Sequence, residues 1–126
     1  MLTYLDASDL LVLAAAVTGG DLVVRDLGLL DSAAHRPQAT VLGVEAYETL
    51  WLKAAALMES IIRNRPLAEG NWRLGWVAAV TLCDINGWWV DAEEDAALDL
   101  VREVDRGAIE VPAIAALLES WGIQRK

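Results

Sequence analysis

Asn64-Arg65-Pro66-Leu67-Ala68-Glu69-Gly70-Asn71-Trp72-Arg73 joins the two longest apolar-periodic segments of the chain. Before it, Tyr47–Asn64 places Leu50, Trp51, Ala54, Leu57, Met58, Ile61 and Ile62 at helical spacing, which predicts an amphipathic helix with one face on a core. After it, Asn71–Asn86 is apolar nearly all round through Leu74, Trp76, Val77, Ala78, Val80 and Leu82, the pattern of a helix buried on most sides. The junction itself has no apolar stripe. A glycine at 70, just ahead of a helix, lets backbone N–H groups converge on an anion where the helix dipole is positive. Arg73, one turn in, is able to fork two phosphate oxygens, and Glu69 to hold a divalent metal bridging them. Arg63 and Arg65 add positive charge nearby. Without further context, Glu69 reads as a surface acid beside three arginines in preference to a metal ligand.

The remaining chain reads as helices around this pair. A stripe of Leu10, Leu11, Leu13, Ala14 and Val17 ends at Gly19-Gly20. A short helix over Asp26–His35 stops before Pro37. From Gln38 to Ala46 the pattern is lost, and Thr40-Val41-Leu42-Gly43-Val44 is either an extended segment able to meet a peptide strand by strand or an ordered loop. Trp88-Trp89-Val90 suggests a short extended piece. Asp91 with Glu94 has the spacing of a capping box for a helix running to Arg106 and closed by Gly107. Pro112 starts a last helix ending near Gly122. The expectation is an all-α bundle of about six helices in a single domain, 1–126, with one short hairpin-like segment.

A hydrophobic fraction of 56% and a mean hydropathy of +0.34 imply either a surface covered by a partner or a tight core rich in alanine and leucine. No apolar run reaches the length of about 18 residues that a membrane span requires. Asp6 and Asp9 with no basic lead argue against a secretory signal. Cys83 is the sole cysteine, which excludes an internal disulfide and a cysteine-based zinc cluster and fits a reducing cytoplasm. The net charge of −9 argues against direct binding of nucleic acid. Positive charge gathered only around residues 63–73 suits a small anionic ligand better than a duplex.

The loop resembles the H-x-F-x-[D/E]-[G/A]-N-x-R signature of Fic/Doc proteins, and among them the small Doc toxins. Glu69, Gly70, Asn71 and Arg73 match position for position, and Leu67 fills the apolar slot. The likeness extends through Leu29–Ala33, Arg36–Thr40, Lys53–Leu57 and Asn86-Gly87. It implies a Fic/Doc-like helical domain that binds ATP with Mg²⁺. It further implies transfer of the terminal phosphate to a hydroxyl of elongation factor Tu, blocking translation, within a toxin–antitoxin module whose partner is a Phd-like antitoxin. By the same likeness Glu69 ligates the metal, while Gly70, Asn71 and Arg73 surround the nucleotide; beside them Arg63 adds positive charge and Trp72, by its place in the loop, a ring for base stacking. Thr40, Val41, Leu42 and Gly43 then form a flap for the target peptide. Two positions depart from the signature: Arg65 stands where the catalytic histidine belongs, and Trp72 replaces a lysine or glycine. Imidazole titrates near neutrality, with a pKa of about 6.5, whereas a guanidinium carries donors only and cannot accept a proton. Impaired transfer is the expectation. The alternatives are a non-catalytic scaffold that binds an antitoxin and an AMP-transferring enzyme of the Fic kind.

Overall fold

The computed structural model describes residues 1–125. Among them are six α-helices: α1 (Ala7–Val17), α2 (Leu27–His35), α3 (Leu50–Asn64), α4 (Asn71–Asp84), α5 (Glu94–Asp105) and α6 (Val111–Ser120). Two small two-stranded antiparallel sheets complete the fold. In one, β1 (Thr40–Val41) pairs with β2 (Val44–Glu45); in the other, β3 (Trp88–Val90) pairs with β4 (Gly122–Gln124). The bundle expected from apolar periodicity is therefore present.

The helix starts follow from their caps. Asp6 accepts from Asp9 N at 2.8 Å while Asp9 accepts from Asp6 N at 2.9 Å, a reciprocal box opening α1. Asp26 and Thr49 cap α2 and α3 in the same sense through Leu29 N and Leu52 N. The box expected at Asp91 and Glu94 does not form. Asp91 N instead donates to Trp121 O at 2.9 Å, extending the β3–β4 pairing, and α5 starts at Glu94 with Glu93 as a cap that makes no side-chain bond. The last helix ends at Ser120 with Trp121 as its C-cap, near Gly122 as expected, but strand β4, which begins at Gly122, was not foreseen.

The centre of the bundle is α3, which packs on α2, α4, α5, α6 and the 3-10 turn Arg36–Gln38. Its residues from Lys53 to Ile62 are all buried. The expectation that α4 is buried on most sides holds from Leu74 to Asp84, where no residue is exposed. Leu74, Gly75, Ala78, Ala79, Leu82 and Cys83 face inward, but Trp72 and Arg73 are exposed at its start. Gly75 allows the close approach of α3: a Cβ there would lie 2.6 Å from Ile62 Cγ1. Edge-to-face tryptophan pairs, Trp51–Trp88 at 5.4 Å and Trp76–Trp121 at 6.3 Å, hold β3 against α3 and the end of α6 against α4.

A charged layer crosses the core beside α3. The Glu59 carboxylate lies between Arg36 Nη1 at 2.9 Å and Arg63 Nη1 at 3.1 Å. Both contacts are ion pairs, and Oε2 accepts no hydrogen bond. Arg36 also donates to Tyr47 Oη, Ala56 O and Ser60 Oγ. Arg63 reaches Val104 O at 3.1 Å and Ile109 O at 2.7 Å, and so ties the α5–α6 connection to α3.

Cys83 is fully buried, as its place in an apolar pattern suggests. Burial, reinforced by the neighbouring Asp84 carboxylate, pushes its thiol up from 9.0 to about 12. The folded state therefore holds the proton that the unfolded chain releases above about pH 9, so this group's stabilisation is complete below that pH and is lost as pH rises toward 12. Iodoacetamide at pH 8 is expected to leave native Cys83 unmodified and to alkylate it fully in denaturant, read by intact mass. Native labelling on the timescale of the denatured control contradicts this burial.

Candidate functional site

Helix α3 must end at Asn64, because Pro66 disfavours a right-handed conformation at the residue before it. Arg65 takes a left-handed conformation instead (φ 53°, ψ 63°), and its N–H still reaches Ile61 O. Arg25 covers the exposed end of the helix, donating through Nε to Arg65 O and through Nη2 to Asn64 O, both at 2.7 Å. The segment before α2 then runs beside the loop. Pro66 O accepts from Arg25 N and Asp26 N, Ala68 N donates to Val23 O, and Val24 bridges Leu67. Leu67 is buried, consistent with the apolar requirement of its slot.

Asn71 closes the loop on itself. Its Oδ1 accepts from Leu67 N at 3.0 Å and its Nδ2 donates to Leu67 O at 2.9 Å. Both halves of the amide are thus engaged within the loop, so its side chain holds the turn rather than projecting free. Gly70 precedes α4 at φ 94°, and a Cβ there would meet Thr18 Cγ2 at 3.0 Å; conformation and close approach both favour glycine. No side chain among the described residues caps α4. Its first-turn N–H groups and positive dipole end therefore lie at the loop surface.

That surface opens into a cleft of about 940 Å³. The end of α1 (Val17, Thr18) and the loop with the start of α4 (Arg65 and Ala68 to Arg73, with Trp76) form two sides. Ala97, Leu98 and Val101 of α5 form an apolar third side, and Asp21 and Glu94 add carboxylates. Arg73 is positioned by a 3.2 Å bond from Nη1 to Val17 O, at the carbonyl end of α1. Arg65 lies at the wall with Nη2 2.6 Å from Asp105 Oδ1.

The cleft brings together Arg65, Glu69, Gly70, Asn71, Trp72 and Arg73 among the residues singled out from the sequence. It does not include Arg63. That guanidinium turns inward because Glu59 and the carbonyls of Val104 and Ile109 satisfy it there. Nor do Thr40, Val41, Leu42 and Gly43 border the cleft. They form a separate hairpin whose tip residues Leu42 and Gly43 both have positive φ (52° and 79°), as a two-residue turn of type I′ demands. Of the two readings the sequence left open here, extended segment or ordered loop, the structure combines both: two-residue strands joined by a tight turn at Leu42-Gly43. Asp105, the partner of Arg65, carried no local signal, since it is 40 residues away.

An uncapped helix start, a carboxylate and a guanidinium on one cleft are donors of the kinds that can hold a phosphate with its metal ion. Among the described residues no group of three or more His, Cys, Asp or Glu side chains is arranged to hold a metal alone. Mg²⁺ in phosphate-transfer sites takes one or two carboxylates and completes its shell with phosphate oxygens and water. Glu69 fits that role for an ion arriving with its phosphates. The cleft volume lies within the range of about 300–1,000 Å³ common for small-molecule sites.

Comparison with known proteins gives the family of the chain. Residues 4–83 match the model of the Fic/DOC family, and the chain belongs to that family. It is 49% identical over 123 residues to Toxin Doc of Mycolicibacterium smegmatis, an alignment covering 96% of this chain and 95% of that protein. Among the described residues no helix is long and apolar enough to cross a membrane.

Proposed function

We propose that this chain is a Doc-type toxin of a toxin–antitoxin module, acting in the cytoplasm and held in check by a Phd-like antitoxin. Its ancestral reaction is transfer of the terminal phosphate of ATP to a hydroxyl of elongation factor Tu. The observation that carries the reading is the uncapped start of α4, which opens with Glu69 and Arg73 onto one cleft. The α4 N–H groups and Arg73 hold phosphate oxygens, and Glu69 holds Mg²⁺. The ion, when bound, neutralises phosphate charge. Asn71 keeps the loop in the shape that presents those donors. Trp72 gives the cleft an aromatic face against which a nucleobase can stack.

Arg65 occupies the position from which a base would take the hydroxyl proton, and a guanidinium cannot take it. Its contact with Asp105 favours a second reading in which binding outlasts transfer: the cleft holds nucleotide or antitoxin without turnover. Calorimetric titration with ATP and Mg²⁺ tests the site. Binding that requires Mg²⁺ is expected, weakened at least about tenfold in Arg73→Ala, the scale of one lost charge-assisted phosphate contact. Equal affinity of the parent and Arg73→Ala, or none in either, defeats the assignment.

A further inference from the structure

The hairpin Thr40–Ala46 is exposed at every residue, including Val41, Leu42 and Val44. A two-stranded hairpin with no buried side chain has little to hold it in one place. Its fully exposed tip residue Leu42 adopts a left-handed backbone that leucine disfavours. Burial does not fix this segment, so a polar tether must.

Lys53 supplies that tether. Among the described residues it is the one buried lysine, only 1% exposed, near the start of α3. Its ammonium donates to Glu45 Oε1 on β2 at 3.0 Å and to Pro37 O at the base of the hairpin at 3.0 Å. The Tyr4 ring lies 5.8 Å from Nζ on another side, within range of a cation–π contact. A buried ammonium demands its acceptors, and here two of them lie on either side of the hairpin. The desolvated charge therefore pins both ends of the segment to the most rigid helix of the fold. One backbone bond, Ala46 N to Ala39 O, closes the base.

We infer that Lys53 is a positioning residue for protein-target recognition, acting through Glu45 and Pro37 O to hold the flap in a preformed shape. The target class is an extended peptide segment bearing apolar side chains, which the exposed strands and Val41, Leu42 and Val44 suit. The target-binding part of this inference rests on the transferase reading above; the tether itself does not.

Two variants test it. Glu45→Ala removes the more exposed partner with little risk to the core, and Lys53→Met removes the charge. Hydrogen exchange on the intact chain is expected to show Thr40–Ala46 amides losing protection in both, with α3 amides unchanged. In a transfer-competent background, KM for the protein target rises about tenfold in both. That is the scale of ordering one extra residue of backbone on binding. kcat and the dissociation constant for ATP stay as in the parent. Unchanged flap protection in Glu45→Ala overturns the tether, whatever the activity. Lost protection with an unchanged KM overturns the recognition role and leaves the tether standing. If Lys53→Met loosens α3 as well, Glu45→Ala alone decides. Absence of transfer in every background refutes the transferase reading without moving the exchange result.

Discussion

Arg65→His is expected to raise phosphate transfer to elongation factor Tu by about 10²–10⁴-fold, the usual worth of a positioned general base. The backbone favours this substitution. Residue 65 is left-handed at φ 53°, a conformation in which histidine is found more readily than most side chains, so the imidazole enters with less strain than the guanidinium it replaces. The change also breaks the 2.6 Å pair with Asp105, removing the contact that holds the present side chain against the cleft wall. A labelled-ATP assay of the parent and variant with Mg²⁺ measures the difference. Binding of ATP should change far less than turnover, because α4, Glu69 and Arg73 are untouched. If parent and variant transfer equally, another group accepts the proton. If neither transfers while both bind ATP, Trp72 becomes the obstacle to test next, by Trp72→Lys in the histidine background.

The local parts of this site were legible in the sequence, and the long-range parts were not. Gly70, Glu69 and Arg73 follow from what a helix start needs in order to meet phosphate, and the cleft does gather them. Asn71 bonds only to Leu67, four residues away, so its position was predictable although its task, holding the loop, was not. Arg63 was misread because the carbonyls that draw it inward lie 41 and 46 residues along the chain. Periodicity places a guanidinium on a helix face but does not reveal what is packed opposite. The same limit hid β4, whose partner Trp88–Val90 precedes it by two whole helices. The Asp91–Glu94 box failed for a related reason: pairing at the end of that sheet takes the backbone of Asp91 before a helix can use it.

Glu59→Gln carries the second large effect, and it falls on stability rather than chemistry. The carboxylate is 11% exposed and joins Arg36 to Arg63, each 28% exposed. Replacing it by a neutral amide leaves Arg36 and Arg63 without the carboxylate they share, with only the exposed Glu110, 3.8 Å from Arg63, as a remaining counter-charge among the described residues. Removing one member of a buried pair costs about 3–5 kcal/mol; partial exposure of both arginines reduces this to about 2 kcal/mol. For a chain of this size that corresponds to a fall in Tm of about 8 °C. The loss should spread to the 3-10 turn through Arg36 and to the α5–α6 connection through Arg63, because those carbonyl contacts depend on where the arginines are held. None of Arg36, Glu59 or Arg63 borders the cleft, so ATP affinity well below the new Tm should match the parent. Scanning calorimetry and titration on the same sample separate the two effects. A Tm within about 2 °C of the parent would mean that solvent already screens the layer as it screens a surface pair. Loss of ATP affinity at full folding would mean that Arg63 communicates with the loop it precedes.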